Sequence, residues 1–235
     1  MKNIIIVGAE RGLGLGLAEQ LLQRNWAVTA TAREGTDTTA LLRLAEAYPG
    51  CLEISAVDVT DAGKSRQFAQ TLHEQPTRFD VVYLNAGIFG PTHQSATEAT
   101  DAEWDAVFHT NTIGPFRLAK WLLPSLKPRG TIAFMSSHRA SIAGNIEGGL
   151  ELYRASKAAL NMLSRGLYAD LSAQGCTVLN IHPGWAATAM GTLDGTVEAE
   201  ISVATSVKGV ADQVEREMGS GLHRYLDYEG NPLPW

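Results

Sequence analysis

The chain has 235 residues, of which 45% are apolar and 7% are aromatic. A chain of this length can bury one sizeable core and no linker interrupts it, so we expect a single domain over residues 1–235. The formal net charge of −6 and the isoelectric point near 5.5 argue against a nucleic-acid or anionic-membrane partner, because either would need a basic face.

Neither the cysteines nor the N-terminal residues point to export or to a membrane. Cys51 and Cys176 are far apart and form no CxxC motif, which fits reduced core thiols of a cytosolic protein. The apolar opening ends at Glu10 and Arg11, well short of an export or membrane segment. We therefore expect a soluble, cytoplasmic protein.

A glycine-rich turn lies between the first predicted strand and the first predicted helix. Residues 3–7 form an apolar run typical of a buried parallel strand, and a helical pattern begins at Leu13. Between them, Gly8 permits a tight turn, Gly12 lets a phosphate approach the backbone, and Gly14 lets the helix pack closely on the strand. The helix N-terminus would then face the pyrophosphate of a dinucleotide.

Further along the chain, short β-rich runs alternate with helical patterns, which is typical of βαβ units. We predict strands at residues 3–8, 26–31, 51–57, 79–84, 131–136, 177–182 and 223–227. We predict helices at 14–24, 37–47, 62–74, 101–125, 153–173 and 206–218, with loops at 138–152 and 186–205. The pattern predicts an α/β fold: a Rossmann-type, doubly wound parallel sheet of about seven strands flanked by helices.

Tyr153 and Lys157 are four residues apart in a predicted helix, so their side chains share one face. An ammonium beside a phenol stabilises the phenolate, which would make Tyr153 a general acid. Such a pair taken alone is more often an ordinary amphipathic pair. The glycine turn earlier in the chain favours the catalytic interpretation.

Small and polar motifs follow several predicted strands, at the edge where such sheets bind ligands. They are Asp58-Val59-Thr60, Leu84-Asn85-Ala86-Gly87, Ser136-Ser137 and His182-Pro183-Gly184-Trp185. Each has a purely structural alternative. Asp58 could cap the next helix, Ser137 could bond local backbone, and Asn85 to Gly87 could form a strand-ending turn.

Together with Asn111-Thr112-Ile113-Gly114, these motifs resemble the short-chain dehydrogenase/reductase family in its compact single-domain branch, with a closer likeness to carbonyl reductases and C-factor-like members. The resemblance implies that Tyr153 protonates a substrate carbonyl oxygen and that Lys157 lowers the phenol pKa and binds the nicotinamide ribose. It also implies that Ser137 donates a hydrogen bond to the same oxygen. Asn111 would hold a water that links Lys157 to bulk solvent.

The resemblance implies a dinucleotide site as well. Its residues would be Gly8, Arg11, Gly12, Leu13, Gly14, Arg33, Asp58, Val59, Asn85, Ala86, Gly87, Tyr153, Lys157, Pro183, Gly184 and Thr188. Arg33 ends the second strand, where an acidic residue would bind the 2′-hydroxyl of NAD. A guanidinium there can pair with a 2′-phosphate instead, and Arg11 could add a second cation, so the expected cofactor is NADP(H).

Some assignments stay open. The gap from Ser137 to Tyr153 is sixteen residues, longer than the family commonly shows, so Ser141 is an alternative catalytic serine. The six histidines have no metal-ligand spacing, and we expect no metal site, although His138 could line the active site. The apolar Trp185, Met190 and Leu193 suggest either a hydrophobic carbonyl substrate or core packing.

We therefore expect an NADP-dependent oxidoreductase that reduces a ketone or aldehyde, a small molecule, to an alcohol. A dinucleotide-binding regulatory or signalling protein of C-factor type is the alternative, but a sensor needs no general acid. A sugar-nucleotide epimerase is disfavoured, because the sequence to Trp235 leaves no room for a substrate domain. A homodimer through helices 101–125 and 153–173 is expected, because both are rich in apolar and small residues on more than one face.

Overall fold

The computed structural model describes residues 1–235 and contains one seven-stranded sheet in the order β3-β2-β1-β4-β5-β6-β7. All six strand pairs are parallel. The strands are β1 (Lys2–Val7), β2 (Trp26–Ala32), β3 (Leu52–Ala56), β4 (Phe79–Leu84), β5 (Leu126–Met135), β6 (Thr177–His182) and β7 (His223–Asp227). The predicted doubly wound α/β fold is confirmed.

Helices cover both faces of the sheet. They are α1 (Gly12–Gln23), α2 (Thr39–Ala47), α3 (Ala62–Glu74), α4 (Asp101–Phe108), α5 (Gly114–Leu122), α6 (Glu151–Leu171) and α7 (Val203–Glu217). Residues of α1, α2 and α7 join one apolar core, while residues of α3, α5 and α6 join the other. Central strands such as β1 are buried on both faces, which explains their continuous apolar sequence. No helix is long and apolar enough to cross a lipid bilayer.

The structure departs from the predicted elements in two places. β5 begins at Leu126 rather than at residue 131, and it pairs there with Phe79 before the register shifts at Val81. The predicted helix 101–125 is interrupted by a π-helical turn at His109–Ile113, and a 3₁₀ turn follows α5 at Leu123–Ser125. Both departures lie next to tertiary contacts that a local sequence pattern does not encode.

The glycine turn lies where the strand order reverses, between β1 and β4. Gly8 has φ +84°, and a Cβ there would approach the Cα of Ala86 to 2.9 Å. A Cβ on Gly14 would lie 2.1 Å from the carbonyl oxygen of Gly8, so α1 can pack this closely on the turn only without a side chain. The amide of Asn85 donates to the same carbonyl oxygen, which joins the turn to the end of β4. The crevice at this switch point is where α/β sheets bind ligands.

Candidate active site

Tyr153 lies in the first turn of α6, and a buried glutamine holds this turn in place. The Gln94 side chain accepts a hydrogen bond from the Tyr153 N–H at 3.0 Å, and the Gln94 carbonyl accepts one from Glu151 at 3.1 Å. The side-chain amide of Gln94 also donates to the backbone carbonyls of Phe89 and Pro91 at 2.9 and 2.7 Å. The segment that follows β4 therefore fixes the start of the helix that carries Tyr153.

Lys157 lies one helical turn further along α6 and is almost completely buried. Its ammonium donates to the Met135 carbonyl at the end of β5 at 3.0 Å and lies 5.9 Å from the centroid of the Tyr153 ring. Burial lowers the pKa of Lys157 to about 8, because the charged form loses solvation. At pH 7 the Lys157 side chain is therefore mostly charged, and this pH lies just below its pKa.

The pKa of Tyr153 lies above its ordinary value in this structure, and the lowering expected from Lys157 stays a prediction. Burial raises the pKa of the phenol above its ordinary value, and a hydrogen bond with the Ser137 hydroxyl opposes that rise. The Lys157 ammonium donates to the Met135 carbonyl and not to the phenol oxygen. Tyr153 thus holds its proton firmly.

Ser137, and not Ser141, is the serine that the structure brings to Tyr153. The Ser137 oxygen accepts from the Arg139 N–H at 3.1 Å, so the backbone does not use its hydroxyl hydrogen, which can donate to the Tyr153 oxygen or to a substrate oxygen. The Ser137 carbonyl accepts from the Tyr225 hydroxyl of β7, so the backbone is held as well. Ser141 is instead used within its own loop, where its oxygen accepts from the Gly144 N–H at 2.7 Å.

Asn111 lies in the π-helical turn, next to Gly87 and Lys157: a Cβ on Gly87 would lie 3.2 Å from the Asn111 side-chain oxygen and 3.3 Å from the Lys157 ammonium. Its amide donates to the Ile88 carbonyl at 2.8 Å and to the Ser156 hydroxyl at 3.0 Å, and its oxygen accepts from the Ile88 N–H at 2.7 Å. Both amide hydrogens are therefore used to hold the segment after β4 against α6.

The start of α1 offers free backbone donors to an anion. Arg11, the residue before the helix, is extended and makes no side-chain capping bond, so the first N–H groups of α1 lack a side-chain acceptor. Gly12 has φ +57°, and a Cβ there would lie 3.5 Å from the Thr188 methyl group. The loop after β6 thus reaches the glycine turn. These features fit the pyrophosphate of a dinucleotide, which helix N-termini bind well.

Charged side chains surround the end of β2. Arg33 follows β2 directly, its side chain is 54% exposed, and its Nε lies 3.6 Å from a Glu10 carboxylate oxygen. Lys64 at the start of α3 pairs with Glu34 at 2.5 Å, a contact that sequence reasoning missed. Arg33 is therefore only loosely paired, and its guanidinium is accessible from solvent.

Asp58 and Val59, two of the residues expected at the dinucleotide site, lie in the segment after β3. Val59 is buried and belongs to the core beneath α3 and α5. Asp58 accepts from the N–H and hydroxyl of Thr60 at 2.9 and 2.7 Å, so it closes a turn. The cap of α3 is Asp61, which accepts from the Lys64 N–H at 2.9 Å, and the capping alternative for Asp58 is therefore wrong.

The remaining predicted residues line the loop that follows β6. Gly184 has φ +77°, and a Cβ there would lie 2.5 Å from an Ile201 side-chain carbon. The Pro183 carbonyl accepts from the Ser206 hydroxyl at the start of α7. Trp185 is 41% exposed and Met190 is 37% exposed, which disfavours core packing as the explanation for their apolar character.

Comparison with known proteins agrees with this geometry. A model of the short chain dehydrogenase family matches residues 2–199. The chain belongs to this family. The resemblance inferred from its motifs is therefore confirmed, and the chain is a member of an oxidoreductase family.

Among curated relatives, the C-signal protein of Myxococcus xanthus is 35% identical over 172 residues, which cover 72% of this chain and 99% of that protein. The 1-hydroxy-2-glutathionyl-2-methyl-3-butene dehydrogenase of Rhodococcus sp. strain AD45 is 28% identical, with 100% of both chains covered.

Two solved structures of the family are also similar. A short-chain dehydrogenase/reductase from Burkholderia multivorans with bound NADP has a TM-score of 0.94 and 36% identity, covering 100% of this chain and 99% of the other. A carbonyl reductase from Pseudomonas aeruginosa PAO1 in complex with NADP has a TM-score of 0.89 and 39% identity, with 100% of both chains covered.

Besides the Lys64–Glu34 pair, three features of the candidate site could not be predicted from the sequence. Gln94 and Tyr225 hold the segments that carry Tyr153 and Ser137 through contacts between distant parts of the chain. The third is a contact between His138 and His182, whose ring nitrogens lie 3.0 Å apart. Gln94 and Tyr225 belong to no motif. His182 opens the motif after β6 and His138 follows Ser137, but neither pattern indicates that the two histidines meet. No group of three or more potential metal ligands is found in the structure.

Proposed function

We propose that this protein reduces a ketone or aldehyde to the alcohol by hydride transfer from NADPH. The observation that carries the proposal is the partly buried Tyr153 phenol, which lies beside the Ser137 hydroxyl and shares a helix face with Lys157 at the ligand-binding edge of the sheet. The carbonyl reductase from Pseudomonas aeruginosa, solved with NADP, has the same fold over the whole chain and supports this reaction class.

Bound NADPH would supply the hydride that the carbonyl carbon receives. The protein residues then have to orient the carbonyl and supply a proton to its oxygen. Tyr153 gives that proton, and the free Ser137 hydroxyl hydrogen donates to the same oxygen while its negative charge develops. The raised pKa of Tyr153 suits an acid that keeps its proton until the carbonyl oxygen becomes basic.

Lys157 has two tasks in this proposal. Its positive charge lies close enough to the Tyr153 ring to stabilise the phenolate left after proton transfer. Its own pKa of about 8 allows the ammonium to give up a proton near neutral pH, so it can take part in restoring the phenol. Asn111 lies beside Lys157, but its amide hydrogens are already used, so any water that it holds would bind its oxygen or its backbone carbonyl.

We propose that NADP(H) is preferred over NAD(H). The position after β2 carries Arg33 instead of the acid that would repel a 2′-phosphate, and Arg33 is exposed and only loosely paired with Glu10. Arg11 at the start of α1 would add a second cation. Two of the most similar solved structures contain NADP, which supports the same preference.

A regulatory protein with little turnover is the second candidate, since the C-signal protein is among the relatives. The presence of Asn111, Ser137, Tyr153 and Lys157 together weighs against it, because a pure sensor needs no proton donor. The deciding experiment follows loss of NADPH absorbance with a panel of ketones and aldehydes, with the Tyr153→Phe variant as the inactive control. A wild-type protein that binds NADPH but reduces nothing in the panel would favour the regulatory role.

We also propose that the protein forms a homodimer through α4, α5 and α6. Apolar side chains remain partly uncovered in α6 and in the turn between α4 and α5, including Met162, which is 69% exposed, and Ile113, which is 39% exposed. Light scattering over a wide concentration range should give twice the monomer mass. A constant monomer mass would contradict the proposal.

A further inference from the structure

His138 and His182 form a contact at the ligand-binding edge of the sheet. His138 directly follows Ser137 at the end of β5, and His182 is the last residue of β6. Nδ1 of His138 lies 3.0 Å from Nε2 of His182, and the two rings meet edge to face at a centroid distance of 4.5 Å. Because β5 and β6 follow β4 in the sheet, the pair lies on the side of Ser137 away from the nucleotide turn.

Both imidazoles are neutral at pH 7. Burial lowers the pKa of His182 to about 3, and the neighbouring His138 contributes to the lowering, while Asp227 of β7 opposes it. Partial desolvation of the ring, together with Arg139 and Arg154, lowers the pKa of His138 as well. In a neutral pair at this distance, one ring must donate its only N–H to the other ring.

The direction of this hydrogen bond follows from what surrounds His182. Its Nδ1 is buried and has no hydrogen-bond partner. A proton on that nitrogen would be an orphaned buried N–H group, which proteins avoid more strongly than an unused acceptor. We therefore assign the proton of His182 to Nε2, which donates to Nδ1 of His138. His138 then carries its own proton on Nε2, where no protein group accepts it.

We propose that His138, oriented by His182, is a second hydrogen-bond donor to the substrate and selects carbonyl compounds with an uncharged oxygen on the adjacent carbon, such as vicinal diketones. This inference rests on the proposed reductase function. Ser137 and Tyr153 would hold the reacting oxygen, and the next residue along the chain, His138, is exposed and has an Nε2–H that no protein group accepts.

The surrounding charges favour an uncharged second oxygen over a carboxylate. The charged groups near the pair are Arg139, Arg154, Glu147, Glu200 and Asp227. These two cations and three anions leave one net negative charge. Glu147 pairs with both arginines, which offsets the positive charge that a substrate carboxylate would meet there.

The test compares 2,3-butanedione with 2-butanone, in which a methylene group replaces the second carbonyl group. His138→Leu should lower kcat/KM for the dione by roughly 10–100-fold, the worth of one well-placed hydrogen bond, and change that for butanone by less than about threefold. His138→Gln, whose amide can still donate, should recover part of the loss. His73→Leu, an exposed histidine of α3, is the matched control and should change neither value.

His182 has a positioning role in this scheme and does not touch the substrate. His182→Leu should raise KM for the dione through loss of orientation of His138, with a smaller effect on kcat. Retained NADPH binding in each variant, measured by fluorescence, would show that the nucleotide site is still folded. As a third substrate, 2-oxobutanoate should have a lower kcat/KM than the dione in the wild-type protein.

The possible failures are distinguishable. Equal losses for dione and butanone in His138→Leu would overturn the inference and leave the reductase function standing. Lack of dione reduction by a wild-type protein that reduces other carbonyls would also overturn it, as would equal or better use of 2-oxobutanoate. Absence of NADPH consumption with every carbonyl compound would refute the reductase function itself, and the inference with it.

Discussion

Replacing Lys157 by Met should make the protein more stable while abolishing turnover. Burial lowers the pKa of Lys157 from 10.5 to about 8. At ~1.4 kcal/mol per pKa unit, keeping the side chain charged costs the folded state about 3 kcal/mol at pH 7. Methionine has a similar length and no charge. It also loses the hydrogen bond to the Met135 carbonyl, worth about 1 kcal/mol, so the expected net gain is about 2 kcal/mol.

The pH dependence of this gain has a definite sign. Between pH 8 and 10.5 the unfolded chain keeps the Lys157 proton that the folded chain has lost, so wild-type stability rises with pH through this window. Lys157→Met lacks this contribution. Its advantage should therefore shrink from about 2 kcal/mol at pH 7 to about 1 kcal/mol at pH 9.

Urea unfolding followed by circular dichroism at both pH values measures this difference. Lys120→Met is the matched control, because Lys120 of α5 is 46% exposed and should change stability by less than about 0.5 kcal/mol. A Lys157→Met protein that is less stable than the wild type at pH 7 would refute the reasoning. So would a stability gain that stays constant between pH 7 and pH 9.

Four further substitutions test the site itself. Tyr153→Phe should remove turnover by several orders of magnitude but leave NADPH affinity intact, as measured by fluorescence titration, because only the transferable proton is lost. Ser137→Ala should lower kcat by roughly 10²–10³, while Ser141→Ala should have little effect; the reverse order in steady-state assays would reassign the serine. Arg33→Asp should erase or invert the preference for NADPH over NADH through kcat/KM more than through kcat, and a wild-type protein that uses both cofactors equally would contradict the role of Arg33.

The strands could be predicted closely where burial dictates their sequence. The predicted bounds 177–182 and 223–227 coincide with β6 and β7. β5 was predicted to start too late, because its first residues include Lys127, Pro128 and Arg129 and show no apolar run. Leu126 pairs with Phe79 of β4, which is a tertiary contact, and Arg129 has φ +59°, so the start of the strand is irregular.

Sequence patterns could not identify residues whose role depends on contacts between segments far apart in the chain. The break in the helix 101–125 coincides with the hydrogen bonds of Asn111 to Ile88 and Ser156, which lie on other segments. His138 and His182 become neighbours only through the pairing register of β5 and β6.

The hydrogen-bond acceptor of the Lys157 ammonium could not be predicted from the sequence either. Residues four apart on a helix share a face, so the spacing of Tyr153 and Lys157 predicts that they are close. It cannot show that the Met135 carbonyl on β5 accepts the ammonium. The motif therefore predicted which residues meet, while the direction of the pKa shift of Tyr153 depended on burial and on a strand outside the motif.

The all-parallel sheet has a consequence for how this protein folds. No two neighbouring strands can form a hairpin, and the β1–β4 pair joins Ile4 to Val81, which lie far apart in the chain. Folding that depends on such long loop closures is slow, and the glycine turn is completed only when Asn85 reaches Gly8. Nucleotide binding during refolding would therefore report on closure of the two halves of the sheet rather than on formation of the turn alone.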